Sequence, residues 1–218
     1  AARVLATAPT FTDLTVGDGL AGWAYAATMA GTLLDDDRML TAGLTAARRA
    51  ATAPELNSDL DLLGGGTGVA LIAASVAQTA GDDRLATAAA RLLLVARDEM
   101  ARRVQMNWVE SNRMHRLGVA HGTTGTALAA ARVSAVSAEA AVLDWLHELV
   151  ASENERIDRR GGIPSRVTTD ARRLPDTTWC WGVAGFAGAR AVVADHLSTA
   201  DAAHGLDVAR QILAASST

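Results

Sequence analysis

Three side chains with chemistry to offer stand beside copies of one short motif. Asp61, His121 and Cys180 lie four, one and two residues before Gly65, Gly122 and Gly182, and each of those glycines opens a Gly-x-x-Gly followed by an alanine-rich run. A fourth copy opens at Gly19, with Thr15, Gly17 and Asp18 at the same three offsets. A carboxylate that orients an imidazole makes it a proton donor or acceptor near neutral pH, the chemistry open to Asp61 with His121. A thiol and an imidazole that meet in a polar cavity suit zinc, but a catalytic zinc takes three protein ligands and one Cys with one His undersupplies it. Read singly, each residue has a plainer role: a cap for Asp61, a carbonyl partner for His121, a small buried hydrophobe for Cys180. Their common place in the repeat favours a shared site. Trp179 and Trp181 bracket Cys180 and could wall a pocket, with a core role expected for at least one of them. His115, His147, His196 and His204 fall in connecting or charged segments, away from that centre.

The elements that must position these groups follow from the repeat. The segments GDGLAGWAYAATMAG, LGGGTGVALIAASVA, AHGTTGTALAAARVS and CWGVAGFAGARAVVA align, with first glycines 46, 57 and 60 residues apart. After each comes a turn rich in Asp or Ser and then a charged amphipathic stretch such as DDDRMLTAGLTAARRAA, so the unit is two helices with the second capped at its start. An apolar helix belongs inside and one with a polar face outside. Stacking such pairs predicts an all-α fold, an α/α toroid of inner and outer helices. The glycines are expected to permit positive φ and close backbone approach, and to leave helix N–H groups facing the centre. The polar connection between Glu155 and Trp179, interrupted by Gly and Pro, reads either as a segment covering the site, where Arg172 and Arg173 could meet a peptide, or as a surface loop.

Composition sets the outer limits. With 218 residues and half of them apolar, the chain can bury a core as one domain spanning 1–218. A net charge of -4 with both signs interspersed gives no nucleic-acid surface. All 20 basic residues are Arg, which points to codon bias in a GC-rich bacterial genome. A single cysteine suits a reducing, cytoplasmic compartment. The uncharged stretch from Gly19 to Leu34 is shorter than the ~20 residues a bilayer requires and carries three glycines, and no membrane partner is expected.

The motifs GLAG at Gly19, D-x-x-x-G-G-T-G from Asp61, G-V-A-H-G-T-T-G from Gly118 and W-C-W-G-V-A-G from Trp179, in this order, resemble the lanthionine synthetase C-like cyclases of lanthipeptide biosynthesis. The resemblance implies a seven-unit toroid of which about four units are present here. It implies addition of cysteine thiols to dehydrated Ser or Thr of a precursor peptide, forming thioether rings at a zinc centre. Carried over by motif, Cys180 is a zinc ligand, His121 the acid–base group and Asp61 its partner. The other two zinc ligands would sit in a Cys-His-Gly motif of the next repeat, and the chain stops at Thr218 after its fourth outer helix. An Arg expected shortly before the Trp-Cys pair is replaced by Asp176. The implied partners are the leader-core precursor peptide and kinase or lyase domains or another biosynthetic subunit. The alternative is a zinc-free scaffold that binds a modified peptide or a partner protein. A glycoside hydrolase would need two facing carboxylates, for which only Asp61 and Asp18 qualify.

Overall fold

The computed structural model describes residues 11–53, 60–105, 117–160, 163 and 177–215, and all the regular structure among them is helical. Among the described residues eight α-helices form four pairs: α1 (Leu20–Leu34) with α2 (Asp37–Thr52), α3 (Gly66–Ala80) with α4 (Asp83–Gln105), α5 (Thr123–Ser134) with α6 (Ala140–Arg160), and α7 (Val183–Val193) with α8 (Thr199–Ala215). A 3-10 turn, Ala194–His196, joins the last pair. Odd-numbered helices touch one another in chain order, even-numbered helices do the same, and each odd helix packs on the even helix that follows it. These are the inner and outer layers of an α/α toroid, as the repeat predicts.

Small side chains bring the layers close. Ala24, Ala73, Ala74 and Ala130 of the inner helices are buried against Ala50, Ala89, Leu93, Leu146 and Trp145 of the outer ones. Each fully buried leucine contributes roughly 1.5–3 kcal/mol relative to exposure. The outer helices start where the sequence places caps. Asp36 Oδ1 accepts from the Arg38 and Met39 amides, Asp82 Oδ1 from those of Arg84 and Leu85, and Ser198 Oγ from the Asp201 amide.

The glycines act differently from the expectation. The first glycine of each motif is the residue before its helix and is extended, with φ of -120° at Gly19, -128° at Gly65, -150° at Gly122 and -116° at Gly182. Positive φ occurs, among the described residues, only at Asp35 and Gly81, where α1 and α3 end. Close approach is what the second glycine provides. A Cβ at Gly22, Gly68, Gly125 or Gly185 would overlap the carbonyl oxygen of Val16, Leu62, Val119 or Trp179, six residues earlier in each copy. The chain before each inner helix therefore folds back against that helix's first turn.

That fold-back also satisfies first-turn amides which the sequence reading left free. Leu20, Ala21 and Gly22 donate to the carbonyls of Asp13, Leu14 and Thr15, and Gly125 donates to Gly118. Backbone carbonyls thus cap these helices in place of side chains. The same strands of backbone link the repeats to one another. Val16 and Gly17 donate to Leu63, Leu62 donates to Ala120, and Ala120 donates to Cys180.

Two further points depart from the sequence reading. Helix α6 runs on to Arg160, into the stretch read as the long connection, because Ile157 is buried with Leu117, Ile163 and Phe186. Arg172, Arg173 and Asp176 of that connection lie outside the described residues, as does His115. Among the described residues no helix is long and apolar enough to cross a membrane.

Candidate functional site

The backbone links between repeats draw the inner-helix starts to one end of the molecule, and His121 and Asp61 meet there. Asp61 is held by its own turn, its Oδ1 accepting from the amides of Leu63 at 2.9 Å and Gly64 at 2.7 Å. Its second oxygen, Oδ2, lies 2.5 Å from Nδ1 of His121. Asp61 thus holds its own turn rather than capping the helix, and it is the partner of His121 that its sequence position allowed. With the carboxylate on Nδ1, that nitrogen keeps its proton and Nε2 is left for other chemistry. The side chains of His121 and Asp61 are 29% and 17% exposed, accessible to a ligand yet fixed by neighbours.

The indole of Trp181 lies over the imidazole, with ring centroids 4.5 Å apart and planes inclined by 30°. Neither tryptophan of the pair is a core residue, contrary to expectation. Trp181 is half-buried against His121 and Trp179 is 55% exposed. The motif's turn has the physical reason: each residue of Trp179–Trp181 sits before the helix proper, above the layer where Val183 and Phe186 fill the core.

An open cleft of about 570 Å³ runs past this pair. Asp61, Leu63, Gly64, His121 and Trp181 line one part of it, and Asp13, Thr15, Gly17 and Asp18 of the first repeat the other. The three first-repeat positions aligned with Asp61, Cys180 and His121 therefore reach the same cavity. Asp13 was not singled out in the sequence; its place two residues before Thr15 was the available signal. The side-chain hydroxyl and the amide of Thr15 hold its carboxyl below the ordinary carboxylate range, against a smaller opposing effect of burial. Asp13 is consequently anionic at the cleft's rim at neutral pH.

Cys180 is free and half-buried, one residue before Trp181. Its carbonyl accepts the Ala120 amide, and its sulfur lies 3.9 Å from the Thr178 hydroxyl. The cleft lining does not include it. His147 bonds the His196 carbonyl and His204 pairs with Asp158, both on the outer layer as expected.

A family model described as lanthionine synthetase C-like protein matches residues 5–215. The chain belongs to this family. Lanthionine synthetase C-like proteins act as lanthipeptide-type cyclases on precursor peptides and generally bind zinc. No curated protein matches the chain. Among the described residues no group of three or more His, Cys, Asp or Glu side chains comes together to hold a metal ion. Cys180 is a single donor, so the described residues by themselves do not supply the three protein ligands of a catalytic zinc.

The sequence reading missed a second cluster, directly below His121. Glu153 of α6 and Arg190 of α7 form a buried ion pair at 3.0 Å, with side chains 0% and 1% exposed. The Thr123 and Thr124 hydroxyls donate to its carboxylate at 2.7 and 2.8 Å.

Proposed function

We propose that this chain carries the proton-transfer half of a lanthipeptide cyclase, with His121 as the acid–base group and Asp61 as its orienting partner. The observation that supports this most directly is the 2.5 Å contact between Asp61 Oδ2 and His121 Nδ1 at the edge of an open cleft. Nε2 of the neutral imidazole takes the proton of an incoming cysteine thiol. The thiolate adds to Cβ of a dehydrated Ser or Thr: the C–S bond forms, the Cα=Cβ π bond breaks, and the electron pair moves onto the carbonyl oxygen as an enolate. Nε2 then returns the proton to Cα, so that one thiol hydrogen ends on carbon and the product is a thioether.

The cleft suits such a substrate. Its mixed lining offers carboxylates of Asp13 and Asp18 and the Thr15 hydroxyl to the donors of a peptide, and the indole of Trp181 to an apolar ring. Cys180 supplies one soft donor beside this lining, and a catalytic zinc takes three protein ligands, so the proton chemistry is assigned to His121 and Asp61 alone.

The test is His121→Asn, incubated with a dehydrated precursor peptide and followed by mass spectrometry after thiol alkylation. A loss of thioether formation by about 10²–10⁴-fold is expected, the usual contribution of a positioned acid–base group. An unchanged rate would sink the assignment. A wild-type protein that binds the peptide without closing rings would instead favour the scaffold reading.

A further inference from the structure

Aligning the repeats past their glycines exposes two positions where one seam departs from the others. Eight residues after the first glycine, the first three inner helices bury Ala27, Ala73 and Ala130, and the fourth buries Arg190. Thirty-one residues after the first glycine, the first two outer helices bury Ala50 and Ala96, and the third buries Glu153. Two positions that elsewhere hold a methyl group here hold full charges, and the two charges are each other's partners.

Such a pair is a poor way to gain stability. Removing two ions from water costs several kcal/mol each, and apolar replacements of similar volume are often neutral or better. What the pair does provide is direction, through hydrogen bonds with fixed geometry. Oε1 of Glu153 accepts both threonine hydroxyls, Oε2 accepts Arg190 Nη2, and the same Nη2 reaches Asn154 Oδ1 at 3.1 Å. The guanidinium also lies over the Phe186 ring, 5.1 Å from its centroid.

The hydroxyls belong to the first turn of α5, which His121 immediately precedes across Gly122. No other repeat has hydroxyls at both positions: the counterparts are Leu20 and Ala21, Gly66 and Thr67, and Val183 and Ala184. The paired threonines, the buried glutamate and the histidine thus occur together in one repeat. Arg190 in turn belongs to α7, the helix that Trp181 precedes.

We infer that Glu153 and Arg190 are positioning residues for His121, fixing the first turn of α5 against α6 and α7 so that the imidazole sits between Asp61 and Trp181. The inference rests on the acid–base reading of His121. The ring must meet Asp61 and Trp181, which come from two other repeats, and a misplacement of about 1 Å at a reacting group can cost ~10² in rate.

The experiment is a readout of the ring itself, independent of turnover: ¹⁵N-edited NMR of the labelled protein, with the His121 Nδ1 proton followed at fixed pH. The informative variant is Glu153→Ala with Arg190→Ala, which gives this seam the residues of the others and leaves no unpaired charge. With the helical circular dichroism retained, the downfield Nδ1 proton signal is expected to be lost. Wild-type His121 signals in that folded variant would overturn the inference. Should it fail to fold, Thr124→Val removes one hydroxyl at nearly constant volume, and the same signals are expected to weaken; unchanged signals would overturn the inference equally. An H121N protein that still closes rings would remove the catalytic role of His121, while the NMR result would stand on its own.

Discussion

Two ion pairs tie neighbouring repeats together, one at the water's edge and one out of water altogether. Arg48 of α2 reaches Asp82, the residue that caps α4, at 2.6 Å, and the arginine side chain is 53% exposed. Arg190 reaches Glu153 at 3.0 Å with neither side chain more than 1% exposed. In the first pair the guanidinium can turn to water while the carboxylate, 7% exposed, keeps its backbone amides, so the charge–charge part contributes only ~0–1 kcal/mol and Asp82 matters chiefly as a cap. The second has no such exchange available, and every lone pair must be met by protein. One contact staples two outer helices; the other constrains the turn that carries His121.

The comparison can be broken most severely by moving a charge to the wrong seam. Ala96→Glu places a carboxylate at the counterpart of Glu153, where the aligned inner-helix position is Ala130. A loss of about 5 kcal/mol or more is expected in urea unfolding, enough to unfold a marginal domain. Glu153→Ala alone should cost about 3–5 kcal/mol, because it strands the Arg190 guanidinium, whose Nε and Nη1 already have no partner among the described residues. Adding Arg190→Ala should recover part of that loss, and a double variant no more stable than the single one would contradict the pairing.

At the pair of Arg48 and Asp82 the effect is smaller and depends on pH. Partial burial pushes the Asp82 carboxyl upward, but the Leu85 amide, the Arg48 guanidinium and the Arg84 amide outweigh it and hold it below the usual carboxylate range. A carboxyl depressed in the folded state adds stability that is complete above the unfolded value of about 3.9 and is lost as pH falls through the folded value. Asp82→Asn is therefore expected to cost about 1 kcal/mol at pH 7, with the difference from wild type closing below about pH 4. Least of all should change at Thr67, the hydroxyl of the Asp61 repeat that has no partner among the described residues where Thr124 has Glu153. Thr67→Val should be neutral or stabilise by up to ~1 kcal/mol in thermal unfolding, whereas Thr124→Val should destabilise.

Much of the frame was legible because it is local. Helix starts follow from Asp36, Asp82 and Ser198, whose side chains cap within three residues of themselves. The inner layer follows from uncharged alanine-rich runs, and the shared end of Asp61 and His121 from their offsets to the glycines. The close approach expected of the glycines is met at Gly68, but the positive φ is not found at Gly65, whose extended φ depends on how the preceding chain folds back. Glu153 was hidden for a related reason. In the run ASENERIDRR it looks like one more charge on an amphipathic outer helix, and only the alignment with Ala50 and Ala96 carried to that depth would have singled it out.

The sequence by itself thus determined the repeat, the two-layer arrangement, and the placing of Asp61, His121 and Cys180 at equivalent points of successive units. Tertiary structure alone decided which of them meet. Asp61 and His121, 60 residues apart, are brought within 2.5 Å. Cys180 contributes its carbonyl to the ring of backbone bonds, and its neighbour Trp181 supplies the contact to the imidazole. The physical reason is range: caps and apolar faces are set by neighbours along the chain, while a side-chain contact between repeats depends on the rotation and rise of every helix pair between them.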